Sequence, residues 1–379
     1  MQPSRFLRRL LVQAVLVAGT WMALLLLTAV AGDLVNLYKH RFPLSDERAE
    51  LPNYSDKEAA RAMFADIRRT VEDYVPFVEW RRLPMQTGSV TVDERGYRVH
   101  RRGPENNRPD SRTIGFFGGS TMWGQGAPDD GTIPAIFDQK TDEFVVTNYG
   151  ESGHTSRQQL DQLLSLVNTG QMPQVVVFYD GFNHVWTHCN YGVTTSLNGH
   201  MAENKLRRAL TETPALGFVY SDIIAPPVEF VRRIIGEKKF IRDDFCCHDD
   251  PVRARQVAET LVETWRIARD VVEARGGRLY VFLQPNAYLG RPRIDHLRLD
   301  RIVGAEQFRA VYPLIQAILA ERRLDYVTDL TRAFDGQDYI YIDDAHVSPN
   351  GNAIIAARMI DRIRGAEAVG GRPSPKMPS

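Results

Sequence analysis

Thr113-Ile114-Gly115-Phe116-Phe117-Gly118-Gly119-Ser120-Thr121 reads as an apolar strand running into a Gly-Gly-Ser turn. A short apolar run closed by turn residues suits a strand buried on both faces of a parallel sheet. Such a turn holds a hydroxyl at the carboxyl edge of the sheet, where open α/β proteins place their ligands. Ser120 is therefore a candidate nucleophile. It needs a base, an orienting carboxylate and donors for a developing oxyanion.

A base lies near the other end of the chain, in Tyr341-Ile342-Asp343-Asp344-Ala345-His346-Val347-Ser348-Pro349. Ser348 suits a helix N-cap, Pro349 the first helical position, and the periodic run Ala353 to Ile363 a last helix. His346 then sits in the loop leading into that helix. Asp343, three residues earlier, can reach one imidazole nitrogen through a tight turn and fix the tautomer, while the other nitrogen takes the serine proton. An isolated Asp-x-x-His is more often a turn-shaping carboxylate beside a surface histidine, so the residues between the two ends decide the reading.

Glu143 to Asn148 reads as a second strand, followed by Tyr149-Gly150-Glu151-Ser152-Gly153-His154 and a helical run from Arg157 to Val167. Gln174 to Tyr179 reads as a third, fully buried strand that leads into Asp180-Gly181-Phe182-Asn183. The Ser120 and Gly153 backbone N–H groups and the Asn183 amide can then meet at one sheet edge as an oxyanion site.

These four blocks, in this order, resemble the SGNH (GDSL-type) hydrolases and esterases, whose name records Ser, Gly, Asn and His. The match is Ser120 in Gly-Gly-Ser-Thr, Gly153 in Gly-Glu-Ser-Gly-His, Asn183 in Gly-Phe-Asn and His346 in Asp-Asp-Ala-His. The resemblance implies a three-layer α/β/α sandwich around a parallel sheet of flavodoxin-like topology. It also implies Asp343 as the triad carboxylate and ester hydrolysis or acyl transfer without metal or cofactor. Two positions depart from the pattern. Gly119 stands where the family name has Asp, and His184 follows Asn183 where many members have Asp.

Outward from this core, Ala254 to Ala274 reads as an amphipathic helix and Arg278 to Leu283 as a buried strand ending in Gln284-Pro285-Asn286. Helix 305–322 and a strand around Asp325–Thr328 complete a βα alternation, which predicts right-handed parallel crossovers. Before the core, Ser55 to Tyr74 has helical spacing through Ala59, Met63, Ile67 and Val71, and Val90 to Val99 a hairpin pattern around Gly96. The expected organisation is a cytoplasmic N-terminus (1–9), a transmembrane helix (10–31) and a juxtamembrane and N-terminal extension (32–109). A hydrolase-like domain (110–366) follows, interrupted by an insertion at about 190–250 with helical pieces at Leu206–Leu210 and Val228–Ile235. A Pro/Gly/Ser-rich tail (367–379) ends the chain.

The membrane reading rests on Leu10–Ala31, 22 residues without a charge, where a spanning helix needs about 20. Arg5, Arg8 and Arg9 precede it, so the positive-inside bias places the rest of the chain outside the cytoplasm. The rival is a signal peptide cut after Ala29-Val30-Ala31, although signal cores run to only about 7–15 residues. An extracytoplasmic location permits a disulfide, and Cys189 can pair with Cys246 or Cys247 but not with both.

Lys+Arg and Asp+Glu both number 47, so no basic field points to a nucleic acid. The turn before Ser120 has no lysine of a P-loop, and Gly124-Gln125-Gly126 lacks a third dinucleotide glycine. His184 and His188 share a metal-ligand spacing, with His154, Cys189 and His248 also available, but no further specific spacing supports a metal. Trp123, His154, His184 and Asn286 are read instead as candidate substrate contacts. The expected partners are an acylated carbohydrate or other ester, the membrane and proteins of an envelope assembly. The alternatives are an O-acyltransferase to glycan hydroxyls and a catalytically silent glycan-binding protein.

Overall fold

The computed structural model describes residues 8–9, 12–24, 27, 46–99, 111–191, 247–299 and 304–370. Ser45–Gly199 and Arg242–Ser379 form one compact unit, and Met1–Leu44 with His200–Ile241 a second. The expected domain break at 109/110 thus falls inside the first unit.

That unit begins with a 3-10 turn, Glu47–Glu50, capped by Asp46. Asp56 then caps α1 (Lys57–Arg68), accepting from the Ala59 N–H at 2.9 Å. The buried stripe of α1 is Ala60, Met63, Phe64 and Ile67. Met63 and Ile67 of the expected stripe are buried, but Ala60 and Phe64 take the core in place of Ala59, and the helix stops before Val71, which is 58% exposed. Two hairpins follow. β1 (Glu72–Val75) pairs antiparallel with β2 (Glu79–Arg82), and β3 (Met85–Gln86) with β4 (Thr91–Val92). A bridge from Val92 to Arg98 closes the turn at Gly96.

The sheet is built from β5 (Arg112–Gly118), β6 (Phe144–Asn148), β7 (Val175–Asp180), β8 (Arg278–Leu283) and β9 (Val327–Asp329). All neighbours pair parallel in the order β6-β5-β7-β8-β9. This is the flavodoxin-like order, with its topological switch point between β5 and β7. Strand residues alternate between two cores. Val175, Val177 and Tyr179 of β7 pack with residues of α3 (Ile133–Gln139) and α8 (Pro349–Gly370). Val176 and Phe178 pack on the opposite side with α4 (Ser156–Asn168), α5 (Phe182–Tyr191), α6 (Pro251–Glu273) and α7 (Ala305–Arg322). The result is the expected α/β/α sandwich. α6 starts three residues before its predicted position because Asp250 accepts from the Arg253 N–H at 3.0 Å and Pro251 fits the first helical position.

A third core, formed by Ala49, Tyr54, Ala60, Met63, Phe64 and Ile67, closes over Trp123 and Ile342. The extension 46–99 therefore packs directly on the segments that follow Ser120 and precede Asp343. Residues 12–24 are helical. Among the described residues no helix is long and apolar enough to cross a membrane. Leu10, Leu11, Leu25, Leu26, residues 28–45, most of the 190–250 insertion with its expected helical pieces, Cys246 and the tail from 371 lie outside the described residues.

Candidate active site

β5 ends in Gly118, and Ser120 opens the one-turn helix α2 (Ser120–Trp123). The Glu151 N–H donates to Gly118 O at 3.0 Å and the Tyr149 N–H to Phe116 O at 2.7 Å, so the second block runs along the end of β5. Asn148, the last residue of β6, donates from Nδ2 to Met122 O at 3.1 Å and accepts from the Gly150 N–H at 2.9 Å. It fixes the helix carrying Ser120 to the turn carrying Gly153.

His346 bridges the two ends of the chain. Its Nε2 lies 2.6 Å from Ser120 Oγ. Its Nδ1 lies 2.8 and 2.9 Å from the two oxygens of Asp343. A nitrogen facing a carboxylate carries the proton, so Nδ1–H donates to Asp343 and Nε2 accepts from the serine hydroxyl. Asp343 Oδ1 also accepts the backbone N–H groups of Ala345 at 3.0 Å and His346 at 2.7 Å. Burial raises the Asp343 carboxyl, but the imidazole and Arg48 outweigh it and hold the group well below the usual carboxylate range. Asp344 points elsewhere, accepting from the Tyr288 hydroxyl at 3.3 Å. Burial and then the charge of Asp343 push its carboxyl up.

Gly119 shows how close the other two blocks come. A Cβ there would lie 2.2 Å from Asn183 Nδ2 and 3.7 Å from His154 O. The Asn183 amide occupies the space that a side chain at 119 would need. Asn183 Nδ2 donates to His154 O at 3.0 Å, leaving its second N–H for another acceptor. Gly153 is exposed, with φ +77, and a Cβ there would sit 3.0 Å from Trp80 Cζ2. Ser120, Asn183, Asp343 and His346 are all partly exposed, as groups that meet a ligand must be.

The four expected substrate contacts are not placed that way. Trp123 is fully buried, with the guanidinium carbons of Arg82 and Arg98 on its ring at 4.0 and 4.3 Å from the centroid. It points down from α2 into the core of the extension. His154 is buried and donates from Nε2 to Trp80 O at 3.2 Å. Burial pushes its imidazole down to about 3, so it is neutral. What His154 gives the site is its carbonyl, which holds Asn183. His184 is buried with both ring nitrogens engaged: Nδ1 accepts from Ser156 Oγ at 2.6 Å and Nε2 donates to Val257 O at 3.1 Å. Burial and then His188 push it well below its usual value. Asn286 is buried as well and accepts from the Tyr288 N–H at 3.1 Å. Each lies on a helix or turn face that the rest of the fold covers, the extension over Trp123 and His154, which a one-dimensional pattern of residue types does not reveal.

Cys189 is bonded to Cys247, tying the end of α5 to the start of α6 across 58 residues. Cys189 is thereby withdrawn from the candidate metal ligands.

Several supports escaped the sequence reading. The Arg82 guanidinium pairs with the Glu151 carboxylate, with both side chains almost fully buried at 5% and 3% exposed. Arg82 also donates from Nη2 to Ser152 Oγ at 3.0 Å, and the Trp80 indole N–H donates to Ser152 O at 2.8 Å. The β1–β2 hairpin thus grips the Gly153 turn. On the other side, Arg48 Nη1 donates to Asp343 Oδ2 at 3.0 Å. The only hint in the sequence is Glu151, a lone carboxylate in a glycine-rich turn. Nothing there points to Arg82 or Arg48.

No family model matches the chain, and no curated protein matches it. Among solved structures, an acetyl xylan esterase, AlAXEase, is similar over 66% of this chain and 99% of its own, with 13% identity and a TM-score of 0.39. A carbohydrate acetylesterase family member from Sinorhizobium meliloti covers 67% and 99%, with 15% identity and a TM-score of 0.32. A member of the lipolytic protein G-D-S-L family from Veillonella parvula DSM 2008 covers 69% and 98%, with 14% identity and a TM-score of 0.34.

Proposed function

We propose that the protein is a serine esterase of the SGNH type. The observation that carries the reading is the unbroken line Ser120 Oγ, His346 Nε2, His346 Nδ1, Asp343, closed by contacts of 2.6 and 2.8 Å. Ser120 Oγ attacks the acyl carbonyl as His346 Nε2 takes its proton. The Asn183 amide and the Ser120 and Gly153 N–H groups receive the negative charge that builds on the carbonyl oxygen. His346 returns the proton to the departing alkoxide, so the alcohol leaves and an acyl-Ser120 ester remains. Water then attacks that ester through the same base, releasing the acid and restoring the serine.

The substrate proposed is an ester-linked acyl group, such as O-acetyl on a cell-envelope polysaccharide, met outside the cytoplasm by a protein anchored through Leu10–Ala31. Three features support that setting: the charge-free run, the arginines before it and the Cys189–Cys247 disulfide, a bond that persists in oxidising compartments. The described part of the run is helical and apolar, with Val15, Leu16 and Trp21 each more than half exposed. Carbonate extraction should leave the full chain in the membrane fraction and release a variant lacking residues 10–31; equal release would remove the anchor.

The mechanism is tested with a fluorophosphonate and a short-chain aryl acetate. Mass spectrometry should find the adduct on Ser120, and Ser120→Ala should lose at least about 10⁴-fold in turnover. Hydrolysis persisting unchanged in Ser120→Ala, or an adduct on another residue, would overturn the assignment.

A further inference from the structure

Asp343 faces four protein donors. Two are backbone N–H groups of its own turn, one is His346, and the fourth comes from 295 residues away: Arg48 Nη1, 3.0 Å from Oδ2. Arg48 is not a loose surface side chain that drifted onto a carboxylate. Asp46 grips its far side, accepting Nε at 3.0 Å, Nη2 at 2.9 Å and the Arg48 backbone N–H at 3.1 Å. The guanidinium carbon lies 4.8 Å from the Phe64 ring centroid. Its neighbour Ala49 is fully buried in the core of the extension. Charges alternate along the line Asp46, Arg48, Asp343, and the imidazolium that forms when His346 takes the serine proton comes next.

We propose that Arg48 is a positioning residue for the hydrolysis proposed above, acting through Asp343 by fixing the carboxylate against His346 Nδ1 and balancing its charge. The inference rests on that reading of the site. Asp343 Oδ2 has one lone pair directed at the imidazole and another held by Arg48, so the carboxylate cannot swing away without losing a charge-assisted bond. The cation also sets how strongly the negative charge beyond the imidazole holds a proton on it. With Arg48 present, Asp46 and Asp343 are partly neutralised. Without it, two carboxylates stand behind His346 and the base stays protonated to higher pH. The other polar or charged groups facing this line are Tyr54 and Arg68 from the extension, Asp344 from the same loop, Tyr288 from the loop after β8, and Ser120.

A merely structural cross-link would behave differently, and the molecule supplies the control. Asn53 joins the same two segments by donating to Tyr339 O at 2.8 Å and Tyr341 O at 3.1 Å, backbone acceptors just before Asp343 rather than its carboxylate. The experiment compares the pH dependence of fluorophosphonate labelling in wild type, Arg48→Met, Arg48→Lys, Asp46→Asn and Asn53→Ala. It is paired with the downfield ¹H resonance of the His346 Nδ1 proton. Arg48→Met should move the acidic limb up by about one pH unit, the low end of what a nearby charge does, because the carboxylate charge that Arg48 offsets then acts in full on the imidazolium, and should lower the plateau about 10-fold as the imidazole loses its fixed partner. Arg48→Lys should restore the limb. Asp46→Asn, which leaves Asp343 as the carboxylate on the cation, should move it down, and this arm decides the matter if Arg48→Met does not fold. Asn53→Ala should lower thermal stability and leave the limb in place. A limb at the wild-type pH in Arg48→Met, or one that moves equally in Asn53→Ala, overturns the proposal. If the wild type is not labelled at all, the esterase reading falls. The resonance then still tests Arg48: it must shift in Arg48→Met and hold in Asn53→Ala, and any other pattern overturns the positioning role.

Discussion

The carboxyl edge of the sheet and the extension 46–99 do different work at one site. The edge carries every group of the proposed catalytic site: Ser120 after β5, Gly153 after β6, Asn183 after β7 and the Asp343–His346 loop before α8. The extension contributes none of them, yet it holds two of those segments from behind. Its β1–β2 hairpin fixes the Gly153 turn through Arg82 and Trp80, and its first turn reaches Asp343 through Arg48. Groups on the edge are partly exposed, whereas the side chains of Arg82 and Glu151 are almost wholly buried. The difference teaches that chemistry and positioning here come from separate stretches of chain, so substitutions in the two should fail in different ways.

The largest effect expected outside the nucleophile is at Glu151. Glu151→Gln takes the buried counter-charge from the Arg82 guanidinium and leaves it only the half-exposed Glu72 carboxylate at 3.4 Å, and breaking a buried pair costs about 3–5 kcal/mol. Urea unfolding should show that loss, with esterase activity falling as the Gly153 turn loosens. A wild-type midpoint would mean that the extension does not support the turn. Asn183→Ala should do the reverse: turnover should drop about 10²–10³-fold, as for loss of one oxyanion donor, with the unfolding midpoint little changed. A large stability loss with normal turnover would move Asn183 from the first role to the second.

The smallest of the three effects sharpens the comparison within the sandwich itself. Asp180, at the end of β7, is buried and accepts from the Gly181 N–H at 2.8 Å and the Trp265 indole N–H at 3.1 Å. Burial pushes its carboxyl up to about 6. The folded chain therefore holds this proton after the unfolded chain has released it. The stability is fully present below pH about 4 and is lost as pH rises towards 6, by about 3 kcal/mol. Asp343, held low, works in the opposite sense, with stability lost only as pH falls below about 4. Melting curves of Asp180→Asn should lose the fall between pH 4 and 6 while keeping the acid-side fall. An unchanged profile would place that slope on another group.

Much of the sandwich was legible because its signals are local. β8 falls at Arg278–Leu283 and α7 at Ala305–Arg322, as read from apolar runs and periodicity. The extension was harder. Its strands are two to four residues long, and the stripe of α1 was right at Met63 and Ile67 but wrong at its ends, because Phe64, not Ala59, takes the core. The reacting line was legible for another reason: a nucleophile, a base and its carboxylate need particular residue types, and the order of blocks limits which can meet. The candidate contacts Trp123, His154, His184 and Asn286 were not, because residue type says nothing about which side of a turn faces solvent.

The sequence by itself determined the parallel α/β architecture and the strand-end blocks that carry Ser120, Gly153 and Asn183. These follow from short-range periodicity and the rule that ligands meet strand ends, whereas the pairing of Asp343 with His346 was read from the order of the blocks and their resemblance to a known family. Only the tertiary structure decided that Cys247 is the partner of Cys189, that Trp123 lies between two arginines, and that Arg48 and Arg82 stand behind the site. Contacts between residues so far apart in sequence leave no local pattern. They form only when packing of the third core brings the extension against the sheet edge and buries charges that must then find each other.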